Sequence, residues 1–348
     1  MAIRGRAACG AALVVAAVGL WAAGACGGQS LDGRYFRIGT GGVAGTYFPI
    51  GSLIAEGLTR PAANIECSQP EACGIPGLIA VAQTSNGSVA NVRSVAAGEL
   101  EAALVQANIA TWAHRGEQAF AGETRLAGLR AVASLYPESL HVVVRRDLGI
   151  ASIAELRGRR ISLDEPGSGT LIDSRALLAA YALREGDLRA EYVKPGLAVT
   201  RMLDGHLDGF MVMVGYPAPS VVGLGGKMAL DLVPIGRDAA EQIRAANPFF
   251  RASVIPAGTY EGIGETPTLE VNAQFVVNAA LDERLVYAVT RALWGERMAG
   301  LLRQGHPKGR QISIATALEG LAIPLHPGAA RYYREAGMLP APAPDGRN

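Results

Sequence analysis

Two stretches decide the fold: Tyr35-Phe36-Arg37-Ile38-Gly39-Thr40-Gly41-Gly42-Val43-Ala44-Gly45-Thr46, and Arg160-Ile161-Ser162-Leu163-Asp164-Glu165-Pro166-Gly167-Ser168-Gly169-Thr170. In each, a short apolar run enters a turn rich in Gly, Ser and Thr. Apolar residues then recur at helical spacing: Ile50, Leu53, Ile54 and Leu58 after the first turn, and Leu171, Leu177, Leu178 and Tyr181 after the second. Both therefore read as strand, turn, helix, with the first helix over 47–58. A helix entered this way leaves its first backbone N–H groups unpaired, and with the helix dipole these favour a carboxylate or phosphate oxygen. Glycine lets a ligand approach the backbone, and the hydroxyls of Thr40, Thr46, Ser168 and Thr170 are available as donors. Thr40, Gly41, Gly42, Thr46, Ser168, Gly169 and Thr170 are thus the first candidates for a ligand site. The competing reading is plain helix capping, which uses the same residue types.

Working outward, the two halves of the chain share a grammar. After the first turn and helix come a strand over 78–83, a turn Thr84-Ser85-Asn86-Gly87-Ser88, and a helix striped by Val89, Val92 and Val95 that stops at Gly98. A strand over 102–105 then ends at Gln106. After the second turn and helix come a strand at Glu191-Tyr192-Val193, a helix around Val199, Met202 and Leu203 ending at Gly205, and a strand over 210–214. Gly98-Glu99-Leu100-Glu101-Ala102 and Gly205-His206-Leu207-Asp208-Gly209 occupy equivalent places. Alternating strands and helices predict an α/β fold of parallel β-α-β units, with ligand chemistry at the strand C-terminal ends. The chain is expected to return late to the first lobe through a strand over 271–277 and helices over 283–302 and 312–321. Lobe 1 then comprises 32–137 and 270–338, lobe 2 comprises 138–269, and 339–348 is a tail. Crossing segments near 135–144 and 266–277 are expected to act as the hinge.

Accessory candidates sit at the ends of these elements. Gln106 and Asn108 follow a buried strand, where cleft contact and loop solvation are alternatives. Tyr47 and Tyr216 are placed to stack on a ligand or to fill core. Ser85 and Ser88 are ligand candidates that are also good helix caps.

The N-terminus reads as an export signal over 1–25: Arg4 and Arg6, an apolar stretch over 7–20, and Ala23-Gly24-Ala25 as a cleavage site. A membrane anchor is the alternative, but the stretch falls short of the ~20 apolar residues a span needs. Export suits the cysteines. An oxidising compartment favours pairing Cys67 with Cys73, and Cys26 at the cleavage junction is a candidate for lipidation, although Ala23 makes a poor lipobox. The 348 residues carry a formal charge of +1, 49% hydrophobic and 18% charged residues, and 44 glycines. That composition fits a buried-core α/β protein and gives no nucleic-acid footprint.

Catalytic signals are missing from the sequence. His114, His141, His206, His306 and His326 show no metal-binding spacing, and Ser168 is not in a G-x-S-x-G elbow. Gly39-x-Gly41-x-x-Ala44 imitates a dinucleotide fingerprint with Glu66 downstream, but a lone glycine pattern is weak, and export argues against a nucleotide cofactor. The expectation is a binding protein with no cofactor, no metal and no enzymatic activity.

Residues 39–51, Gly-Thr-Gly-Gly-Val-Ala-Gly-Thr-Tyr-Phe-Pro-Ile-Gly, resemble the opening motif of the TAXI family, the TRAP-associated extracytoplasmic immunogenic solute receptors. Gly87-Ser88-Val89-Ala90-Asn91, Val105-Gln106, Pro166-Gly167-Ser168-Gly169-Thr170 and Pro324-Leu325-His326-Pro327-Gly328 are similar to further family segments. The resemblance implies a type II periplasmic-binding fold in the periplasm or on the extracytoplasmic face. It implies closure on a small carboxylate or amino-acid ligand such as glutamate, and delivery to a TRAP transporter membrane permease. A sensor reporting to a membrane receptor is the alternative. Asn108 stands where the family commonly has Asp, and the loop holding Cys67 and Cys73 is longer than in the simplest members. In the related TRAP branch an Arg clamps the carboxylate; no equivalent is identified here, and Arg145 and Arg201 are candidates whose alternative is a solvated or structural role.

Overall fold

The computed structural model describes residues 33–60 and 74–341. The segment read as an export signal, Cys26, Cys67, Cys73 and residues 342–348 lie outside the described residues.

The first half opens with β1 (Arg34–Gly39), α1 (Tyr47–Leu58), the two-residue strands β2 (Thr59–Arg60) and β3 (Ile75–Pro76), and β4 (Leu78–Gln83). It continues with α2 (Ser88–Ala97), β5 (Ala102–Gln106) and α3 (Ala107–Arg115). The long β6 (Leu129–Arg145) leads into β7 (Arg160–Ser162), α4 (Gly169–Ala180), β8 (Arg189–Glu191), α5 (Pro195–Leu203) and β9 (Gly209–Val214). Next come α6 (Pro219–Gly225), β10 (Leu230–Leu232), α7 (Arg237–Ala246) and β11 (Arg251–Ile255). The chain then returns through β12 (Thr266–Asn278) to α8 (Glu283–Leu293), α9 (Glu296–Gly305) and α10 (Pro327–Glu335).

One sheet runs in the order β4-β1-β5-β12-β6-β9-β7-β8. Its outer strands are parallel, as the alternating pattern predicts: β1 pairs with β4 and β5, and β7 pairs with β8 and β9. The centre departs from that expectation. β6 and β12 are long antiparallel partners from Glu270↔Ser139 to Asn278↔Leu129, while the far part of β6 pairs antiparallel with β9 from Ser139↔Val214 to Val144↔Gly209. Ser139 thus marks where β6 passes from one half to the other. The two crossing segments foreseen as a hinge are these two strands.

Each half buries its own apolar clusters. Phe36, Ile38, Ile50, Ile54 and Leu58 pack with Phe275, Val286, Val289 and Tyr333 in the first half. Leu140, Val142, Ile161, Leu163, Leu177 and Met211 pack in the second. β5 is buried along its whole length, which suits a strand covered on both sheet faces.

Three local expectations shift. The helix over 283–302 is two helices, because Gly295 adopts extended backbone at the start of α9 (φ −76°, ψ 158°). The segment over 312–321 is not a helix. It makes one 3₁₀ turn at Ile314–Thr316, with Ser313 Oγ accepting from the Ala315 N–H, and Gly320 turns the chain at φ +67°. The strand foreseen at 191–193 ends at Glu191, because the Ser162 hydroxyl replaces the ladder at Val193, donating to its carbonyl at 2.7 Å and accepting its N–H at 3.3 Å. The described architecture is a mixed α/β fold, two α/β halves joined through paired long strands.

Candidate functional site

β1, β5, β7 and β9 all end at one place. There the Gly41–Tyr47 turn, Gln106, the Asp164–Thr170 turn and Val214 enclose a cavity of about 110 Å³ between the two halves. Gly41, Gly42, Thr46, Tyr47, Ser88, Gln106, Ser168, Gly169 and Thr170 all line it. Thr40, Ser85 and Tyr216 do not. Thr40 is fully buried and donates to the Gln83 carbonyl at 2.6 Å. Ser85 donates to the Thr40 carbonyl and accepts from the Gly87 N–H, which ties the turn before α2. Tyr216 carries the Lys308 ammonium 3.8 Å from its ring centroid.

Most of the hydroxyls are already engaged. Thr46 Oγ1 donates across the cleft to the Gly215 carbonyl at 2.9 Å. Ser168 Oγ caps α4 by accepting from the Leu171 N–H at 3.0 Å, and Thr170 Oγ1 accepts from the Met213 N–H at 3.1 Å. Both hydroxyls also oppose the rise that burial imposes on the Asp164 carboxyl. The open anion-binding chemistry is therefore the backbone at the N-termini of α1 and α4 rather than these side chains.

Gln106 closes the floor. Its Nε2 donates to Asp173 Oδ2 across the two halves, and its backbone N–H donates to Ser88 Oγ at 3.1 Å. Asn108 Nδ2 donates to the other Asp173 oxygen at 3.0 Å, so two amides from β5 and α3 grip one carboxyl on α4. A Cβ added at Gly169 would lie 1.5 Å from Gln106 Oε1, which is why a glycine stands there. The halves also meet where the Ser220 N–H reaches the Ala44 carbonyl and the Ala90 N–H reaches the Gly167 carbonyl.

Several residues here escaped the sequence reading. Glu138, Asp164, Glu165 and Lys194 line the cavity, and Asp173 lies behind Gln106. Glu138 accepts from the Tyr47 hydroxyl at 2.6 Å. Burial pushes its carboxyl up to about 8, with Asp173 adding to the shift and Tyr47 and Lys308 opposing it. Burial likewise pushes Asp164 and Asp173 up to about 7. Lys308 is buried in the turn after α9, and burial lowers its ammonium to about 8. Sequence signals did exist for two of these. Glu138 is a lone acid inside an apolar strand, and Asp173 shares the buried face of α4 with Thr170, Ser174 and Leu177. Arg145 pairs with Asp147, Arg201 pairs with Glu191, and neither lines the cavity.

A family model described as the NMT1-like family matches residues 38–337. The chain belongs to the NMT1-like family. Among solved structures, this NMT1-like chain is similar to a protein from Bordetella bronchiseptica RB50 at 16% identity, over 89% of this chain and 83% of that one, with a TM-score of 0.50. It is also similar to the periplasmic aliphatic sulphonate binding protein SsuA from Escherichia coli, at 14% identity over 86% and 78% of the two chains (TM-score 0.43). A third is a binding protein component of an ABC phosphonate transporter from Pseudomonas aeruginosa, at 10% identity over 78% and 79% (TM-score 0.46). The first of these likenesses is one of fold. Among the described residues, no helix is long and apolar enough to cross a membrane, and no cluster of His, Cys, Asp and Glu could hold a metal ion.

Proposed function

We propose that this NMT1-like protein is the extracytoplasmic solute-binding subunit of a transport system, closing two lobes on a small polar solute without transforming it. The observation that carries this reading is the cleft itself. Two strand–turn–helix units from opposite halves present their helix N-termini to one cleft, and the Gln106–Asp173 contact bridges the halves beneath it. The lobes are 32–137 with 270–338, and 138–269, turning about β6 and β12. A carboxylate on the solute binds the backbone N–H groups at the starts of α1 and α4, where helix dipoles and unpaired donors favour negative charge. The likeness of residues 39–51, 87–91 and 166–170 to TAXI receptors favours a TRAP-type membrane permease as partner and a ligand such as glutamate.

Calorimetry and thermal melts with L-glutamate and related organic acids test this. A ligand that binds only the folded protein at a hundred times its Kd adds about 2.7 kcal/mol of stability, which raises Tm by several degrees. Turnover of the bound compound, or no Tm response across a broad panel of carboxylates, contradicts the reading.

A further inference from the structure

We infer that Lys308 is a positioning residue that sets how readily the two halves close: its ammonium, enclosed without a countercharge where the halves meet, opposes closure and favours the open arrangement. It does not line the cavity, so it acts without touching the solute. The inference rests on the receptor reading above and adds to it the element that works against capture.

Lys308 belongs to the first half, in the 3₁₀ segment Pro307–Gln311 after α9, and is 1% exposed. Its stem lies on Gly215 of the second half, where an added Cβ would come 2.8 Å from Lys308 Cγ. Its Nζ stands 3.8 Å from the centroid of the Tyr216 ring, also in the second half. Gly215 directly follows the Ser139↔Val214 pair at which β6 changes halves. Rotation of the halves about the long strands therefore acts on this contact, parting the ammonium from the ring and admitting water.

An ammonium can donate three hydrogen bonds, and water supplies them all. Here it has one, to Gln311 Oε1 at 3.2 Å, and the face of one ring. Among the described residues no carboxylate pairs with it. The two acids whose charge bears on it are engaged elsewhere. Glu270 pairs with Arg251 and accepts from the Ser253 hydroxyl. Glu138 accepts from Tyr47, and burial raises it to about 8, so it is largely neutral at pH 7. The other titratable groups around Lys308 supply no negative charge near neutrality: Tyr136 and His141 from β6, Tyr216 after β9, and His306 from the turn after α9. Enclosing a charge without a partner costs more than a ring face and one amide offset. Accordingly burial lowers the ammonium from its ordinary 10.5 to about 8, against the opposing pull of Glu270 and Glu138. With the head group solvated in the open arrangement, closure sheds a proton, and it becomes easier as pH rises above about 8.

The test is pulsed electron resonance on the full mature protein, with spin labels at Val43 and Val222, which are exposed on opposite halves. Wild type, Lys308→Met and Lys308→Arg are each freed of small molecules by unfolding and refolding. Methionine keeps an unbranched stem and removes the charge, whereas arginine stays charged at every pH used. At pH 7 the ratio of short to long distances should be roughly tenfold higher in Lys308→Met than in wild type, since one unit of pKa is a factor of ten. That gap should narrow by about pH 9.5, where Lys308 itself gives up its proton, and Lys308→Arg should stay at long distances throughout. Comparing variants at each pH cancels the titration of the buried carboxyls they share. Lys308→Met that is no more closed than wild type at pH 7, or a gap that does not narrow, overturns the inference and leaves the receptor reading intact. Refolded and natively purified wild type with one and the same distribution overturn both, because the halves then do not move. The Tm of Lys308→Met should match or exceed that of wild type. A lower Tm with unchanged distances would make Lys308 a structural residue only.

Discussion

The two glycine-rich turns look alike in sequence and act differently in the structure. The second turn serves its own helix: Ser168 caps α4, and Gly169 leaves room for the Gln106 side chain from the other half. The first does not cap α1 with a side chain. Thr46 instead reaches across to Gly215, and the Ala44 carbonyl meets the Ser220 N–H. Both turns touch the opposite half, the second through the Gly167 carbonyl and the Ala90 N–H, but only the first uses its helix-start hydroxyl there. A motif that repeats by residue type therefore need not repeat by role.

Glycine substitutions should break the apparent symmetry most sharply. Gly169→Ala places a Cβ 1.5 Å from Gln106 Oε1 and must push that amide away from Asp173. Losing a hydrogen bond to a charged group costs about 1.5–3 kcal/mol, so solute affinity should fall roughly tenfold or more. In Gly42→Ala the Cβ would meet only Lys194 Cδ, at an ordinary 3.8 Å, and affinity should stay within about threefold of wild type. Calorimetry on the two variants measures the difference.

The contact beneath the turns should be visible in the pH dependence of stability. Burial raises Asp173 and Asp164 to about 7 and Glu138 to about 8, whereas unfolded carboxyls titrate near 4. The folded protein holds more protons in that window. Its extra stability is complete below about pH 4 and is lost as pH rises through about 7 to 8. Asp173→Asn removes one of the three groups. Asn108 Oδ1 has no partner, so its amide can turn to accept from the amide that this substitution introduces. The fall in Tm between pH 5 and pH 8 should shrink by roughly a third in this variant. An undiminished fall would assign the titration to other groups.

The smallest effect separates cap from reach. Ser168→Ala should lower Tm through the lost cap, by about 1 kcal/mol, even in ligand-free protein. Thr46→Val should leave ligand-free melting nearly unchanged and weaken closure, by about 1 kcal/mol, because it deletes only the bond to Gly215. Melts with and without solute distinguish the two.

Much of this was legible in the sequence because it depends on local pattern. Helix α1 starts and stops where its apolar spacing and turn residues place it, and α2 ends at Gly98 in the left-handed conformation. The cavity-lining residues foreseen, from Gly41 to Thr170, belong to turns and element ends whose composition marks them. What could not be read depends on pairing across long distances. The antiparallel centre follows from β12 inserting between β5 and β6, which no local spacing records. Glu138 lines the site and Asp173 lies behind Gln106 only because two halves meet, and Thr40 is withdrawn from it by a strand carbonyl 43 residues away.

The proposed receptor closes its two halves on a solute and opens when the solute is removed. Spin labels at Val43 and Val222, which are 64% and 53% exposed on opposite halves, would report it by pulsed electron resonance. Protein purified without denaturation should give a short, narrow distance distribution. Protein stripped of small molecules by unfolding and refolding should give a longer and broader one, and adding back the released material should restore the first. A single unchanged distribution in all three samples would contradict the claim.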